Sequence, residues 1–182
     1  MCILLSRLTT QTCTCCTGVT DVAFYQKVAT DIITVHNYPG WYDYCPLDKI
    51  TEEMSAFLWR WSSAFPSKPL IVSEYGAGGM PGHHTLSSLQ FTEEGQVAIL
   101  RQNHAAFELF RQNGSLAGEH VHAWSDFQQS GHSVQQSSGA RGLLLDIDGL
   151  NFKGLFSRTR EPKAAATLLR ERYLMLATDV RE

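Results

Sequence analysis

Charge of one sign, cysteine in the body of the chain and long apolar runs are all scarce in this sequence. No segment of the 182 residues approaches the roughly 20 consecutive apolar positions of a membrane-spanning helix. The formal net charge is -3 and the isoelectric point about 6.1, so there is no basic field to hold phosphate, and nucleic acid is not an expected partner. Of five cysteines, Cys2, Cys13, Cys15 and Cys16 crowd the start and only Cys45 lies elsewhere, which excludes a disulfide scaffold for the body. The stretch Cys13-Thr14-Cys15-Cys16 has the look of half a zinc site, but no second ligand pair follows at knuckle spacing, and no metal is expected. The opening MCILLSRLTTQTCTCC lacks a positively charged start and a small-residue cleavage site; it reads as a poor signal peptide and is left as an unassigned Cys-rich leader over 1–16. Finally, no Gly-rich phosphate fingerprint follows any apolar run, which weighs against dinucleotide binding.

What is present is the composition of a globular domain, 43% hydrophobic and 18% charged. Apolar runs alternate with helical spacing. The β-branched run Ile32-Ile33-Thr34-Val35 ends a strand expected from Val28 to Val35. Pro69-Leu70-Ile71-Val72-Ser73-Glu74-Tyr75-Gly76 is a second strand, Gly118 to Trp124 a third, and Val19 to Phe24 a weaker fourth. Between them, Asp48 to Phe65 carries Ile50, Met54, Phe57, Leu58 and Trp61 at helical spacing, with Asp48 placed to cap it and Pro66 to stop it. Thr92 to Asn113 is a second helix with Val97, Leu100, His104, Phe107 and Phe110 on one face. Pro162 to Ala177 is a third, with Leu168, Leu169, Tyr173 and Leu176 inward. Gln128 to Gly142, rich in Gln, Ser and Gly, reads as a mobile surface loop.

Continuous apolar strands alternating with amphipathic helices imply parallel pairing covered by helices, in a doubly wound sheet or a (β/α)₈ barrel. Polar and aromatic residues stand at the strand ends, where barrel enzymes keep their chemistry: His36-Asn37-Tyr38, Glu74-Tyr75 and Asp126. A barrel needs about 250 residues and eight strands, so this chain amounts to half of one. Glu74 is the notable residue, because a buried strand delivers its carboxylate to a partly desolvated place. It is either a functional carboxylate or the partner of a neighbouring Arg.

Ser73-Glu74-Tyr75-Gly76-Ala77 after Lys68-Pro69-Leu70-Ile71-Val72 resembles the nucleophile segment of the β-glucuronidases, retaining glycosidases of glycoside hydrolase family 2. Further segments match in the same order. His36-Asn37-Tyr38-Pro39-Gly40-Trp41-Tyr42 resembles the family's Tyr-rich strand end, and Phe91-Thr92-Glu93-Glu94 the start of the following helix. Gly118-Glu119 through Asp126-Phe127 resembles the last barrel strand, and Asn151-Phe152-Lys153-Gly154 the Asn-x-Lys-Gly segment that grips the glucuronate carboxylate. The resemblance implies the C-terminal half of a TIM barrel, about strands 5–8, over residues 17–182. It also implies hydrolysis of terminal β-D-glucuronic acid from glycosaminoglycans or glucuronide conjugates, with no cofactor. Glu74 would be the nucleophile, and Asn151, Lys153, Tyr38, Tyr42, His36, Tyr75, His122 and Asp126 would surround the sugar. A lysosomal or secreted location and a homo-oligomer, a tetramer in the family, are implied too, and Asn113-Gly114-Ser115 is a glycosylation triplet in keeping with that.

The sequence also departs from the family. The acid/base Glu stands in an Asn-Glu pair in the family, and no Asn here is followed by Glu; in the family order that pair would precede this chain. His122 stands where the family has a sugar-stacking Trp, and His36 where it has Asn. The segment between Phe127 and Asn151 is longer than the family's and is expected to draw Asn151 and Lys153 away from the cleft. Two alternatives follow: a non-catalytic truncated paralogue serving as a binding or oligomerisation module, and a β-galactosidase-type member, against which the Asn151 and Lys153 pair argues.

Overall fold

The computed structural model describes residues 22, 31–42, 45–128 and 149–179. Strand β1 (Ile33–His36) leads through a 3₁₀ turn (Leu47–Lys49) into helix α1 (Ile50–Ala64). Strand β2 (Leu70–Tyr75), helix α2 (Glu93–Gln112) and strand β3 (Leu116–Val121) follow; β4 (Phe127–Gln128), β5 (Leu150–Asn151) and helix α3 (Ala164–Asp179) complete the order. The first three strands form one parallel sheet in the order β1-β2-β3, while β4 and β5 pair antiparallel beside it. Parallel neighbours joined through α1 and α2 are two successive strand-helix-strand crossovers, the repeating unit of a barrel. Among the described residues the sheet does not close.

The apolar spacing produces these elements as expected. Met54, Leu58 and Trp61 of α1 and Leu100, Ala106, Phe107 and Phe110 of α2 are buried against Ile33, Val35, Leu70, Val72, Tyr75 and Leu116 of the sheet, with Ala165 and Leu169 of α3 joining them. Thr92 caps α2, its hydroxyl accepting from the Gly95 N–H at 2.9 Å, and Glu93 and Glu94 in the first turn favour the helix dipole. A second cluster of Trp41, Ile50, Ala77 and Ile99, with Tyr38, Cys45 and Phe91 against it, sits at the C-terminal strand ends.

Some details differ from the sequence reading. Asp48 does not cap α1: it lies inside the 3₁₀ turn, and Lys49 occupies the cap position without a side-chain hydrogen bond. The third strand is Leu116–Val121, not Gly118 to Trp124: the His122 N–H still donates to the Tyr75 carbonyl of β2, but 123–126 leave the ladder to pair with 153–156. Pro162 precedes α3, which opens at Ala164. On α3, Arg172 is buried as well, drawn in by a carboxylate on β3, while Tyr173 is partly exposed with its hydroxyl turned in to Tyr75 and Val121. The leader 1–16 and nearly all of the polar stretch after Gln128 lie outside the described residues, as does the weak strand at 19–24 except Val22, which has helical backbone and packs on the core.

Candidate active site

Glu74 reaches the site through an irregularity in β2. Strict alternation would put it on the face of Leu70 and Val72, against the helices, because side chains in a strand alternate faces. Burial instead follows Leu70, Val72 and Tyr75, and the register shifts between Val72 and Tyr75. That bulge moves Tyr75 to the helix side and leaves Glu74 half-buried on the open side, where bulges commonly re-aim a functional side chain. A matching shift in β1 between Val35 and His36 sets His36 level with Glu74. Just beyond β1, the Asn37 N–H donates to the Glu74 carbonyl at 3.3 Å.

Tyr38 donates its hydroxyl to Glu74 Oε2 at 2.7 Å. Burial, and then the hydrogen bond to that carboxylate, push the phenol pKa far above its ordinary value, so Tyr38 stays a donor throughout the physiological range. The Tyr38 ring also meets Tyr42 edge-on at 5.2 Å and His122 at 6.2 Å. Burial holds the His122 imidazole below its usual pKa; the Glu74 charge opposes this and the Lys153 charge adds to it.

Lys153 is 2% exposed, and its ammonium stands over three rings: 4.8 Å from the centre of Tyr42, 5.1 Å from Trp41 and 5.6 Å from Tyr38. Asn151, also buried, accepts the Lys153 N–H at its side-chain oxygen at 3.0 Å, and this fixes the turn between them. Lys153 therefore adjoins Tyr38 and Tyr42, so the longer preceding segment does not draw it away from the strand ends. The residues brought together are Glu74, Tyr38, Tyr42, His122 and Lys153, with His36 level with Glu74 on the neighbouring strand.

Two expected site residues lie elsewhere. Tyr75 is fully buried behind the sheet, its hydroxyl within 3.0 Å of His104 Nε2 and 3.1 Å of Glu119 Oε1 and its ring against Phe107, because the bulge turned it there. Asp126 is 4% exposed and serves as a brace: its Oδ1 accepts the Gly154 N–H at 2.9 Å and the Lys163 ammonium at 2.8 Å. Lys163 completes its donors on the carbonyls of Gly79 and Phe152, each at 2.8 Å.

Three residues that bear on the site were not singled out from sequence. Trp41 lies in the Tyr-rich segment, Lys163 follows the proline before α3, and Gln96 is a polar residue on the inward face of α2. Gln96 donates to the carbonyls of Ala77 at 2.9 Å and Gly154 at 3.0 Å, joining the loop after β2 to the Lys153 segment. A buried amide in an apolar helix face was the available signal. Among the described residues no group of three His, Cys, Asp or Glu could hold a metal ion.

Residues 14–178 match the domain described as glycosyl hydrolases family 2, TIM barrel domain. β-Glucuronidase of Sus scrofa is 38% identical over 152 residues, which cover 83% of this chain and 21% of that protein. An uncultured Clostridium sp. β-glucuronidase structure superposes with a TM-score of 0.67 at 32% identity, over 80% of this chain and 23% of that one. The β-glucuronidase of Ruminococcus gnavus in complex with D-glucuronic acid superposes with a TM-score of 0.64 at 30% identity, over 79% of this chain and 23% of that one. The chain thus spans about a fifth of the length of the relatives it matches.

Proposed function

The chain belongs to the family 2 glycosyl hydrolases, within their TIM barrel domain, and from that premise we propose that it carries the nucleophile side of a retaining β-glucuronidase site. The observation that carries this reading is the single phenol of Tyr38, which joins a carboxylate to a cation: its hydroxyl is 2.7 Å from Glu74 Oε2 and its ring centre 5.6 Å from the Lys153 ammonium. A negative nucleophile and a positive carboxylate receptor beside one phenol suit a substrate whose anomeric carbon and acid-bearing carbon flank the ring oxygen of one sugar.

In this mechanism Glu74 attacks the anomeric carbon while the bond to the departing oxygen breaks, forming a glycosyl ester. Water then attacks the same carbon and releases the Glu74 carboxylate. A second carboxyl group, first acid and then base, belongs about 5–5.5 Å away. We assign it to the four fifths of the relatives' length that this chain does not span. Tyr38 holds Glu74 in place and stabilises its negative charge. Lys153 and the Asn151 amide receive the sugar carboxylate, a charge-assisted contact that a neutral hexose cannot make. Tyr42, half-open to solvent, and His122 line the same space.

A lysosomal or secreted setting and a homo-oligomer go with this proposal. The exposed Asn113 at the end of α2, which begins the Asn-Gly-Ser triplet, supports the former. The test is Glu74→Gln in the full-length protein, with turnover of a chromogenic glucuronide as the readout. We expect kcat to fall by roughly 10⁴-fold or more, the scale on which removal of a nucleophile acts. Hydrolysis within a few-fold of the unmodified protein would refute the assignment.

A further inference from the structure

The Lys153 ammonium is held by a wall of rings, one of which, Trp41, also belongs to the apolar cluster at the strand ends. Tyr38 is committed to Glu74 through its hydroxyl, and Tyr42 is 42% exposed. Trp41 is 6% exposed, its ring centre 5.1 Å from the ammonium. Trp41 is itself clamped on two sides. A Cβ at position 78 would stand 2.7 Å from its Cη2, so only a glycine at 78 lets the indole sit there. On the other side the Phe91 ring meets it edge-on at 5.1 Å.

Phe91 holds this place with a backbone φ of +64°, a left-handed conformation that a bulky side chain adopts only when its surroundings enforce it. The enforcement is visible in the Phe91 carbonyl, which accepts the Met80 N–H at 2.9 Å. The indole N–H of Trp41 finds no acceptor among the described residues, so what the position uses is the ring. Indole offers a cation the best π face of the aromatic side chains. A lysine has four rotatable bonds, and a wall that fixes them beforehand removes that ordering from the binding step.

We infer that Trp41 is a positioning residue for Lys153: its ring, clamped by Gly78 and Phe91, fixes the ammonium where a sugar carboxylate meets it. It thereby sets the preference for a sugar acid over the neutral sugar. The inference rests on the β-glucuronidase reading and adds a residue that acts through Lys153.

The test compares Trp41→Leu, which stays apolar but has no π face, with Trp41→Phe, which keeps a smaller one, and with Lys153→Met, all in the full-length protein. Two readouts are taken: the carbon chemical shift of the Lys153 Cε, which the rings displace, and the ratio of dissociation constants for D-glucuronate and D-glucose by calorimetry. For Trp41→Leu we expect the Lys153 resonance to move toward its solvent-exposed position and the glucuronate preference to fall about tenfold or more, with glucose binding changed less than about twofold. Trp41→Phe should recover most of the preference, which a purely packing role would not require.

If Lys153→Met abolishes the preference while Trp41→Leu leaves it and the Lys153 resonance intact, the positioning role is overturned and the glucuronidase reading stands. If Lys153→Met leaves the preference unchanged, the glucuronidase reading fails, and the positioning role in specificity fails with it. Should Trp41→Leu not fold, Phe91→Leu decides: it removes the edge contact alone, and a glucuronate preference within about 1.5-fold of the parent would overturn the inference.

Discussion

The hydroxyl of Tyr38 donates to one carboxylate oxygen of Glu74, and its burial keeps the proton on the phenol. A donor of this kind selects one orientation of the proposed nucleophile and leaves its other oxygen for attack. Hydrogen bonds to charged groups contribute about 1.5–3 kcal/mol, which corresponds to roughly 10–100-fold in rate if the bond is maintained toward the transition state. Tyr38→Phe should therefore lower kcat by that factor while the ring keeps its place beside Lys153, so KM for a glucuronide should change by less than about threefold. A large rise in KM with unchanged kcat would mean that Tyr38 serves binding and not the nucleophile.

At the scale of elements, the site depends on how closely the segments after β2, β3 and β5 approach one another. Gly154 makes that approach possible: a Cβ there would lie 2.1 Å from the Asp126 backbone nitrogen, and backbone cannot yield as a side-chain tip can. Gly154→Ala is expected to cost about 2–3 kcal/mol of stability and to displace Lys153, measurable as a lowered denaturation midpoint together with weakened glucuronate binding. A midpoint unchanged within error would show that the segment shifts freely. The same closeness explains which parts of the site were legible in the sequence. The helices and the second strand follow from apolar spacing, which burial enforces, the first strand only from Ile33 on, since Ile32 is exposed before it; Glu74, Tyr38 and Lys153 lie in contiguous motifs. The turn of Tyr75 to the helix side is not legible, because a bulge reverses the alternation at one residue and nothing in Ser73-Glu74-Tyr75 announces it. In the sequence Asp126 reads as a sugar contact, because its partner Lys163 is 37 residues away and pairing over such a separation leaves no local signature.

Over the whole molecule, a buried polar chain ties the sheet to the two helices behind it. Arg172 on α3 donates to Glu119 of β3 at 2.6 and 2.5 Å and pairs with Glu108 of α2 at 3.0 Å, while the Tyr75 hydroxyl donates to the same Glu119. The Tyr75 hydroxyl also lies 3.0 Å from His104 Nε2. Burial first, and the Arg172 charge second, hold the His104 pKa down to about 3. In the unfolded chain an imidazole titrates near about 6.5. Between those values the unfolded state binds a proton that the folded state refuses, so this contribution to stability is complete above about pH 6.5 and is lost progressively as pH falls toward about 3. The slope is at most about 1.4 kcal/mol per pH unit. Glu108, held below its ordinary value chiefly by its hydrogen bond to Arg111, acts in the same sense but only where carboxylates titrate. His104→Gln keeps an amide donor near Tyr75 and cannot take up the proton. Denaturant melts at pH 7.5, 6.0 and 5.0 should show the parent losing stability on acidification while the variant loses distinctly less. Parallel losses in the two proteins would place the acid sensitivity outside this network.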